Sequence, residues 1–305
     1  MAAIAYRIGL LGAGHCPVPY PLTGLLLHHL PEYDPAGRRQ MIAAYALDRG
    51  PGVLAVVAGS PAAKAGLRAG DILLAVNGIA FPSPLEMAGI RRRKLWRAEV
   101  DRSEALLEAE LRKGAAELSI LRGGKEIDVG LSYRLGCPAR IRLARSEQTN
   151  AFANGRYVIA TTALLDFTRS DDELAIVIGH ELAHNILGHP ARLDEQGVPD
   201  GLLRGFGKNA SRVRVTEEEA DRLGLQLAWA AGYDVGAAIQ FWRRYYAAFD
   251  RTPQLFRTHP SLEARERLIA DTLAGPPARP AAAPEGQTLV RSDQSSGKAR
   301  LDRVD

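Results

Sequence analysis

One five-residue segment, HELAH at 180–184, constrains this chain more than any other feature. Residues four apart on a helix lie on the same face, so His180 and His184 can offer two imidazoles to one metal ion. Glu181 stands one residue along, where its carboxylate can act as a general base. This is the residue spacing of hydrolytic zinc sites. A buried helix with two incidental histidines has the same letters, so the interpretation depends on a third ligand.

The residues around HELAH predict a helix with defined ends. Ser170 stands at the N-cap position and Glu173 follows three residues later, which is the spacing of a capping box. The run 174–178 is largely apolar, as in a buried helix. Gly188 and then Pro190 provide a stop.

A second helix is predicted over 214–234, with Thr216 as its N-cap. Three glutamates in its first turn compete to be the third ligand: Glu217, Glu218 and Glu219. Glu217 and Asp221 are four apart and share a face, so Glu217 can bind the metal while Asp221 orients a ligand histidine. Acidic residues in a first turn also complement the helix dipole, but that alternative leaves Asp221 unexplained. The small Gly224 allows this helix to approach the first one closely.

The region before the HELAH helix reads as short strands and turns. Residues 59–78 predict a turn, a short Ala-rich helix and a strand at 71–76 that ends at Asn77-Gly78. The flanking elements are a strand at 43–49, a strand at 53–57, a helix at 85–113 and a hairpin of 116–122 with 125–133. The stretch resembles the bacterial PDZ domain found in periplasmic proteases.

The PDZ resemblance implies a peptide groove beside strand 53–57, where a peptide C-terminus adds as a strand. The residues whose backbone would line this groove and hold the carboxylate are Gly50, Gly52, Val53 and Leu54. Pro51 removes one amide donor at that place. The alternative is a PDZ domain used only as a spacer or lid.

Four motifs, in one order, carry a second resemblance. They are NAFA at 150–153, HELAH at 180–184, EEEAD at 217–221 followed by RLG, and THPS at 258–261 with Arg265. Together they resemble the gluzincin metalloproteases of the HtpX, BepA and CAAX prenyl protease family, over about residues 138–272. The metzincin pattern is excluded, since it needs a glycine at 187 and a histidine at 190, where this chain has Leu187 and Pro190.

The family resemblance implies a role for each matching residue. One Zn²⁺ per chain would be held by His180, His184 and Glu217, with Glu181 as the general base. His259 maps to a family histidine that lies near the metal, either as a ligand at rest or as a stabiliser of the oxyanion. The supporting residues would be Asp221, Arg265 and His189. Asn150, Phe152 and Ala153 would line an exposed strand edge that holds substrate.

Length and composition fit two modest domains: 305 residues, 46% of them hydrophobic, with a formal net charge of +4. We expect an α+β fold, in which a mostly helical zincin-type metalloprotease domain with a small edge-exposed sheet accompanies a small β-rich PDZ domain. The expected division is an N-terminal segment packing on the protease at 1–42, the PDZ domain at 43–134, the protease at 138–274 and a disordered tail at 275–305. The segment 194–213 is expected to be a mobile loop over the cleft.

Nucleic acid is not an expected partner, because Arg91–Lys94 fits a solvated helix face. No segment has the length of a transmembrane helix. The expected partners are protein or peptide substrates and a C-terminal peptide ligand of the PDZ domain.

Cys16 and Cys137 form either one disulfide or two buried thiols. A disulfide would fit a periplasmic or otherwise extracytoplasmic location, the alternative being the cytoplasm. The expected function is a zinc-dependent endopeptidase acting on proteins such as misfolded or envelope proteins. The rival function is a PDZ-containing chaperone or scaffold whose zinc site is structural or blocked, for instance by His259 as a fourth ligand.

Overall fold

The structure, a computed structural model, describes residues 1–199, 207–249 and 260–275. Its α-helices are α1 (Ala2–Leu11), α2 (Pro35–Tyr45), α3 (Pro61–Lys64), α4 (Pro84–Gly89), α5 (Arg93–Arg112), α6 (Thr162–Phe167), α7 (Asp171–Ile186), α8 (His189–Glu195), α9 (Gly207–Ala230), α10 (Ala237–Phe249) and α11 (Leu262–Ala274). Its strands are β1 (Tyr20–Leu22), β2 (Leu25–His28), β3 (Gly52–Val56), β4 (Ile72–Val76), β5 (Ile79–Ala80), β6 (Ala116–Arg122), β7 (Lys125–Leu131), β8 (Arg134–Gly136), β9 (Ile141–Ala144), β10 (Ala151–Ala153) and β11 (Val158–Thr161). The expected α+β class is confirmed. The predicted tail, apart from Gly275, lies outside the described residues.

An antiparallel sheet of order β2-β3-β4-β6-β7, with β5 beside β4, forms the PDZ-like region. The predicted hairpin is present as β6 and β7, and it turns at Gly123 and Gly124, which both have positive φ. Apolar residues of α5 and of the sheet, such as Leu111 and Leu118, form its core. The strand at one edge of this sheet is β2, which comes from residues 25–28. These residues lie in the segment expected to precede the PDZ domain.

Two local predictions in this region are wrong. Residues 43–45 end helix α2 instead of starting a strand, because Asp34 caps that helix through the Gly37 N–H and Pro35 opens it. The helix expected over 85–113 is two helices, α4 and α5. Gly89, a poor helix former, ends α4, and Ile90 is extended.

Helix α7 forms the centre of the second half of the chain. Strand order there is β10-β11-β9, with β11 parallel to β9 and antiparallel to β10. Helices α1 and α9 pack against α7, and the shared core includes Ile4, Ile178 and Leu227. The N-terminal helix is therefore part of the same hydrophobic core as the HELAH helix.

The ends of α7 follow the sequence prediction. Ser170 caps the helix by accepting from the Glu173 N–H, and Gly188, with φ of 65°, breaks the chain before Pro190. The Glu173 carboxylate does not close the capping box. It accepts instead from Arg244 and from the Arg169 N–H.

Helix α9 begins at Gly207 within the described residues, seven residues before the predicted start at 214. Thr216 is therefore not an N-cap, and its Oγ donates to the Val213 carbonyl 2.8 Å away. The buried Ala210 and Val213 show why: packing extends the helix into a segment with only modest helix propensity. The expected loop 194–213 is thus helical over 207–213, and residues 200–206 lie outside the description.

Cys16 and Cys137 form a disulfide, with 5.5 Å between their Cα atoms and a sequence separation of 121 residues. The short ladder of β1 and β8 lies next to this bridge. None of the described helices combines the length and the apolar character that a membrane span needs.

Candidate metal centre

His180, His184 and Glu217 converge as the sequence predicts. Their ligand atoms all lie within 4.8 Å of one another, and all three residues are buried. The two Nε2 atoms are 3.1 Å apart. Glu217 places one carboxylate oxygen 3.5 Å from Nε2 of His180 and the other 3.6 Å from Nε2 of His184.

These distances fit a tetrahedral zinc site. Ligands about 2.0–2.1 Å from a tetrahedral metal lie about 3.3 Å from each other, close to the observed separations. Two imidazoles and one carboxylate are also a donor set typical of catalytic zinc. Three protein donors leave one tetrahedral position for another group.

The close crossing of α7 and α9 assembles the three ligands. A Cβ on Gly224 would lie 2.6 Å from the backbone nitrogen of His180, and a Cβ on Gly179 would lie 2.7 Å from the Gly224 carbonyl oxygen. Only glycine permits backbones to meet at this distance. Glu217, two turns before Gly224, is thereby carried up to the histidines.

A buried ion pair stands behind His180. Asp221 places one carboxylate oxygen 2.8 Å from Nδ1 of His180 and accepts at 2.9 Å from Nε of Arg265. The Arg265 guanidinium lies over the ring of Trp242, 3.7 Å from its centre. Asp221, Arg265 and Trp242 therefore form a buried chain of contacts that ends at His180.

The charge of the cluster also suits a cation. Burial lowers the pKa of His180, but hydrogen bonding and charge from Asp221 and Glu217, with the nearby charge of Glu181, raise it to about 10. Burial likewise raises the pKa of Asp221, yet Arg265 and His180 hold it below its usual range. Without a metal, these carboxylates therefore favour a proton on His180. A bound divalent cation would supply positive charge at the same place.

The three competing glutamates have three different positions. Glu217 faces the histidines and Glu218 is exposed. Glu219 lies 3.0 Å from Nε2 of the fully buried His189 and also accepts from Arg192. His189 Nδ1 in turn lies 2.9 Å from Nδ1 of His184. The family pattern predicts His189 near the site, but it does not predict that Glu219 contacts both His189 and Arg192. The only available signal was the acidic run itself.

Strand β10 lies beside α7 at the edge of its sheet. Asn150 and Phe152 are exposed, and Ala153 is half-buried. Asn185, the residue after His184, accepts from the Gly155 N–H at 2.7 Å and ties the β10–β11 turn to α7. No pattern in the sequence predicts this contact.

The prediction of a peptide groove beside strand 53–57 is wrong, because other strands already pair with this strand. Strand β2 pairs with β3 along its length, and β4 pairs at its start. Gly50 and Gly52 serve close packing: a Cβ there would lie 2.0 Å from the Leu73 carbonyl oxygen and 2.3 Å from Nε2 of His28, respectively. Val53 is buried. Leu54 is exposed, but its strand β3 already pairs with β2.

An ionic network that the sequence did not reveal joins α5 to the β9–β11 sheet. Glu104 accepts from Arg142 and, at 2.9 Å, from the Tyr157 hydroxyl. Glu108 accepts from Arg140 through two hydrogen bonds of 2.6 and 2.5 Å. These partners are more than thirty residues apart, so no local motif predicts them.

His259 lies outside the described residues, so its predicted place near the metal stays a prediction.

Parts of the chain match the models of two known protein families. Residues 134–206 and 200–272 match the model of peptidase family M48, and residues 52–92 match that of the PDZ domain. The mitochondrial metalloendopeptidase OMA1 of Schizosaccharomyces pombe is 30% identical over 155 residues, 44% of this chain and 46% of that protein. The bovine mitochondrial metalloendopeptidase OMA1 is 32% identical over 172 residues, 44% of this chain and 33% of that protein. A putative beta-barrel assembly-enhancing protease of Vibrio cholerae is 31% identical over 160 residues, 42% of this chain and 33% of that protein. The matches thus span less than half the length of each relative.

Proposed function

Because the chain carries a peptidase family M48 domain and a PDZ domain, we propose that it is a zinc-dependent endopeptidase that cleaves protein substrates. One observation carries the proposal: His180, His184 and Glu217 gather three buried donor groups at the separations of a tetrahedral zinc site. A bound zinc ion would supply Lewis acidity to a water molecule and to the scissile carbonyl.

The side chains around the site divide the remaining work. Glu181, half-buried and next to His180, takes the proton of the attacking water and passes it to the leaving amine. Asp221 holds the His180 ring, and Arg265 holds Asp221. His259 is proposed, from the family pattern, to stabilise the oxyanion.

Substrate is proposed to add as a strand to the outer edge of β10. Within the described residues β10 pairs only with β11, so its other edge has no strand beside it. Exposed Phe152 projects from this edge, and Asn185 fixes the edge relative to His184.

The PDZ-like region is proposed to bind peptides between β2 and α5, in place of the groove first predicted. In the described part of the chain, β2 pairs with β3 alone. A cavity opens between β2 and α5, lined by apolar residues that include Leu25, Leu107 and Leu111. Arg140 and Arg142 of the protease half also line it, so a bound peptide would contact both halves.

An extracytoplasmic location is proposed from the Cys16–Cys137 bridge, which persists in oxidising compartments. The beta-barrel assembly-enhancing proteases among the relatives fit this proposal.

Zinc analysis with an activity assay tests the proposed function. Elemental analysis should find about one zinc per chain in the wild type and much less in Glu217→Ala. Glu181→Gln should keep its zinc and lose cleavage of a fluorescently labelled casein. A wild type that takes up no zinc when it is supplied would refute the metalloprotease. Full zinc occupancy with no cleavage in the wild type, and four protein ligands by X-ray absorption, would favour the scaffold function.

A further inference from the structure

The two histidine ligands are supported in different ways. Nδ1 of His180 faces the Asp221 carboxylate directly. Nδ1 of His184 faces another ring nitrogen instead, Nδ1 of His189, at 2.9 Å. His189 has no solvent exposure, so bulk water does not reach this contact.

The positions of the hydrogens follow from the contacts. Two ring nitrogens 2.9 Å apart form a hydrogen bond only if one carries hydrogen and the other a lone pair. Nε2 of His189 lies 3.0 Å from the Glu219 carboxylate, which also accepts from Arg192 and is therefore held as an ionised acceptor. Nε2 of His189 must then carry the hydrogen, which in a neutral imidazole leaves Nδ1 as the acceptor. His184 consequently carries its own hydrogen on Nδ1.

We propose that His189 and Glu219 form a relay that fixes the tautomer of His184, so that Nε2 of His184 is its metal-binding atom. This inference rests on the proposed zinc site and assigns positioning roles to two residues. The Nε2 atom so prepared is the one that lies 3.1 Å from Nε2 of His180. Both histidines therefore present Nε2 to the metal. The Asp221 carboxylate sets this orientation for His180, and the His189 imidazole sets it for His184.

The break in the helix makes the relay possible. His184 and His189 are five residues apart, a spacing that does not stack side chains on a continuous helix. Gly188 turns the chain with φ of 65°, and α8 restarts at His189 with Pro190 behind it. The turn brings the His189 ring against the His184 ring, with 4.9 Å between the ring centres.

Two pairs of variants separate the relay from simple packing. His189→Leu and Glu219→Leu remove the acceptor at each step, whereas His189→Gln and Glu219→Gln keep a carbonyl oxygen that can accept. Glu218→Leu is the matched control, because Glu218 is the exposed neighbour of Glu219. Circular dichroism and thermal unfolding confirm that each variant is folded before it is measured.

Zinc affinity is the first measurement, made by competition with a chromogenic chelator. Loss of an outer hydrogen bond to a metal ligand typically weakens binding by about 10- to 100-fold, and we expect this loss in both leucine variants. The glutamine variants should recover most of the affinity, and Glu218→Leu should match the wild type. Folded leucine variants with unchanged zinc affinity would overturn the relay.

The tautomer itself is the second measurement, made by long-range ¹H–¹⁵N NMR of the histidine rings in the metal-free protein. In mildly alkaline buffer, His184 should show hydrogen on Nδ1 and His189 on Nε2. Glu219→Leu should abolish the single tautomer of His189. Finding hydrogen on Nδ1 of His189 in the wild type would overturn the proposal. Because this experiment needs no zinc, it tests the relay even if the metalloprotease proposal fails.

Discussion

Gly179 and Gly224 lie back to back where α7 crosses α9, so that a Cβ on Gly179 would lie 2.7 Å from the Gly224 carbonyl oxygen. This contact sets the distance between the two helices that carry the proposed metal ligands. His180 follows Gly179 directly, and Glu217 lies two turns before Gly224. The geometry of the centre therefore depends on two residues that have no side chain.

Gly224→Ala should separate the helices and weaken the metal centre. The methyl group would meet the His180 backbone at 2.6 Å, and overpacking of this kind costs about 1–3 kcal/mol. Urea unfolding and chelator competition should show lower stability and lower zinc affinity together. Gly89→Ala is the control, since its Cβ would meet nothing within 4 Å. Unchanged zinc affinity in Gly224→Ala would mean that the helix contact does not set the ligand distances.

Asp221→Asn should be strongly destabilising, because it leaves the buried Arg265 without its charge partner. Removing one member of a buried pair costs about 3–5 kcal/mol. The exposed pair Arg243–Glu266 is the matched control, where Glu266→Gln should cost about 0–1 kcal/mol. Equal losses for both variants in denaturant unfolding would contradict the role given to the buried pair.

Acid should weaken the junction between α5 and the β9–β11 sheet through Glu104. Burial raises the pKa of Glu104, but Arg142, His29 and Tyr157 lower it further, so its folded pKa lies below the unfolded value of about 4.3. Such a group stabilises the fold above the unfolded pKa, and this contribution is lost as pH falls through the folded pKa.

Glu104→Gln should therefore be less stable than the wild type at neutral pH, by about 3–5 kcal/mol. The gap should narrow as the pH falls below about 4. Unfolding curves at several pH values measure this, with exposed Glu117→Gln as the control. A gap that stays constant in acid would exclude the charge of Glu104 as its source.

Phe152→Glu should weaken substrate binding without affecting zinc. Phe152 is 46% exposed on the proposed substrate edge, and loss of an aromatic contact of about 1 kcal/mol lowers kcat/KM by about fivefold. Leu143→Glu is the control on β9, at the other edge of the same sheet, where Leu143 is 49% exposed. If the two variants lower casein cleavage equally, β10 has no special role.

Opening the Cys16–Cys137 bridge should lower the stability of the folded chain. A loop of this length predicts a loss of about 2–5 kcal/mol. The double variant Cys16→Ser with Cys137→Ser should unfold at lower urea concentration than the oxidised protein. Reductant should shift the wild type alone, so a shift in the double variant as well would reveal an effect of the reagent.

The centre could be predicted largely because its information is local. The four-residue spacing of His180 and His184 fixes a shared face, and the same spacing places Glu217 and Asp221 on one face. Both pairs depend only on helix geometry. The family resemblance, and not the spacing, assigns Glu217 as the ligand. The relay through Glu219 was missed because it depends on how α8 folds back, and no spacing along one helix encodes that turn.

The place of the peptide groove could not be predicted, because it depends on contacts between distant parts of the chain. The segment 50–54 contains the glycines expected of a carboxylate-binding loop. In the structure they allow close packing against residues that are distant in sequence. Gly52 makes room for His28, and β2 occupies the edge that the sequence left open. Pairing between distant strands decides which edge stays free, and a single sequence does not specify that pairing.

The Cys16–Cys137 bridge also turns residues 17–136 into a covalently closed loop that is inserted into the half of the chain with the candidate metal centre. The chain enters and leaves this loop side by side, along the paired strands β1 and β8. One backbone cut inside the loop releases no fragment, and two cuts release the PDZ-like region as a unit. After such an excision the bridge still holds α1 on the core of α7 and α9, so the half with the candidate metal centre retains the helix that completes its core.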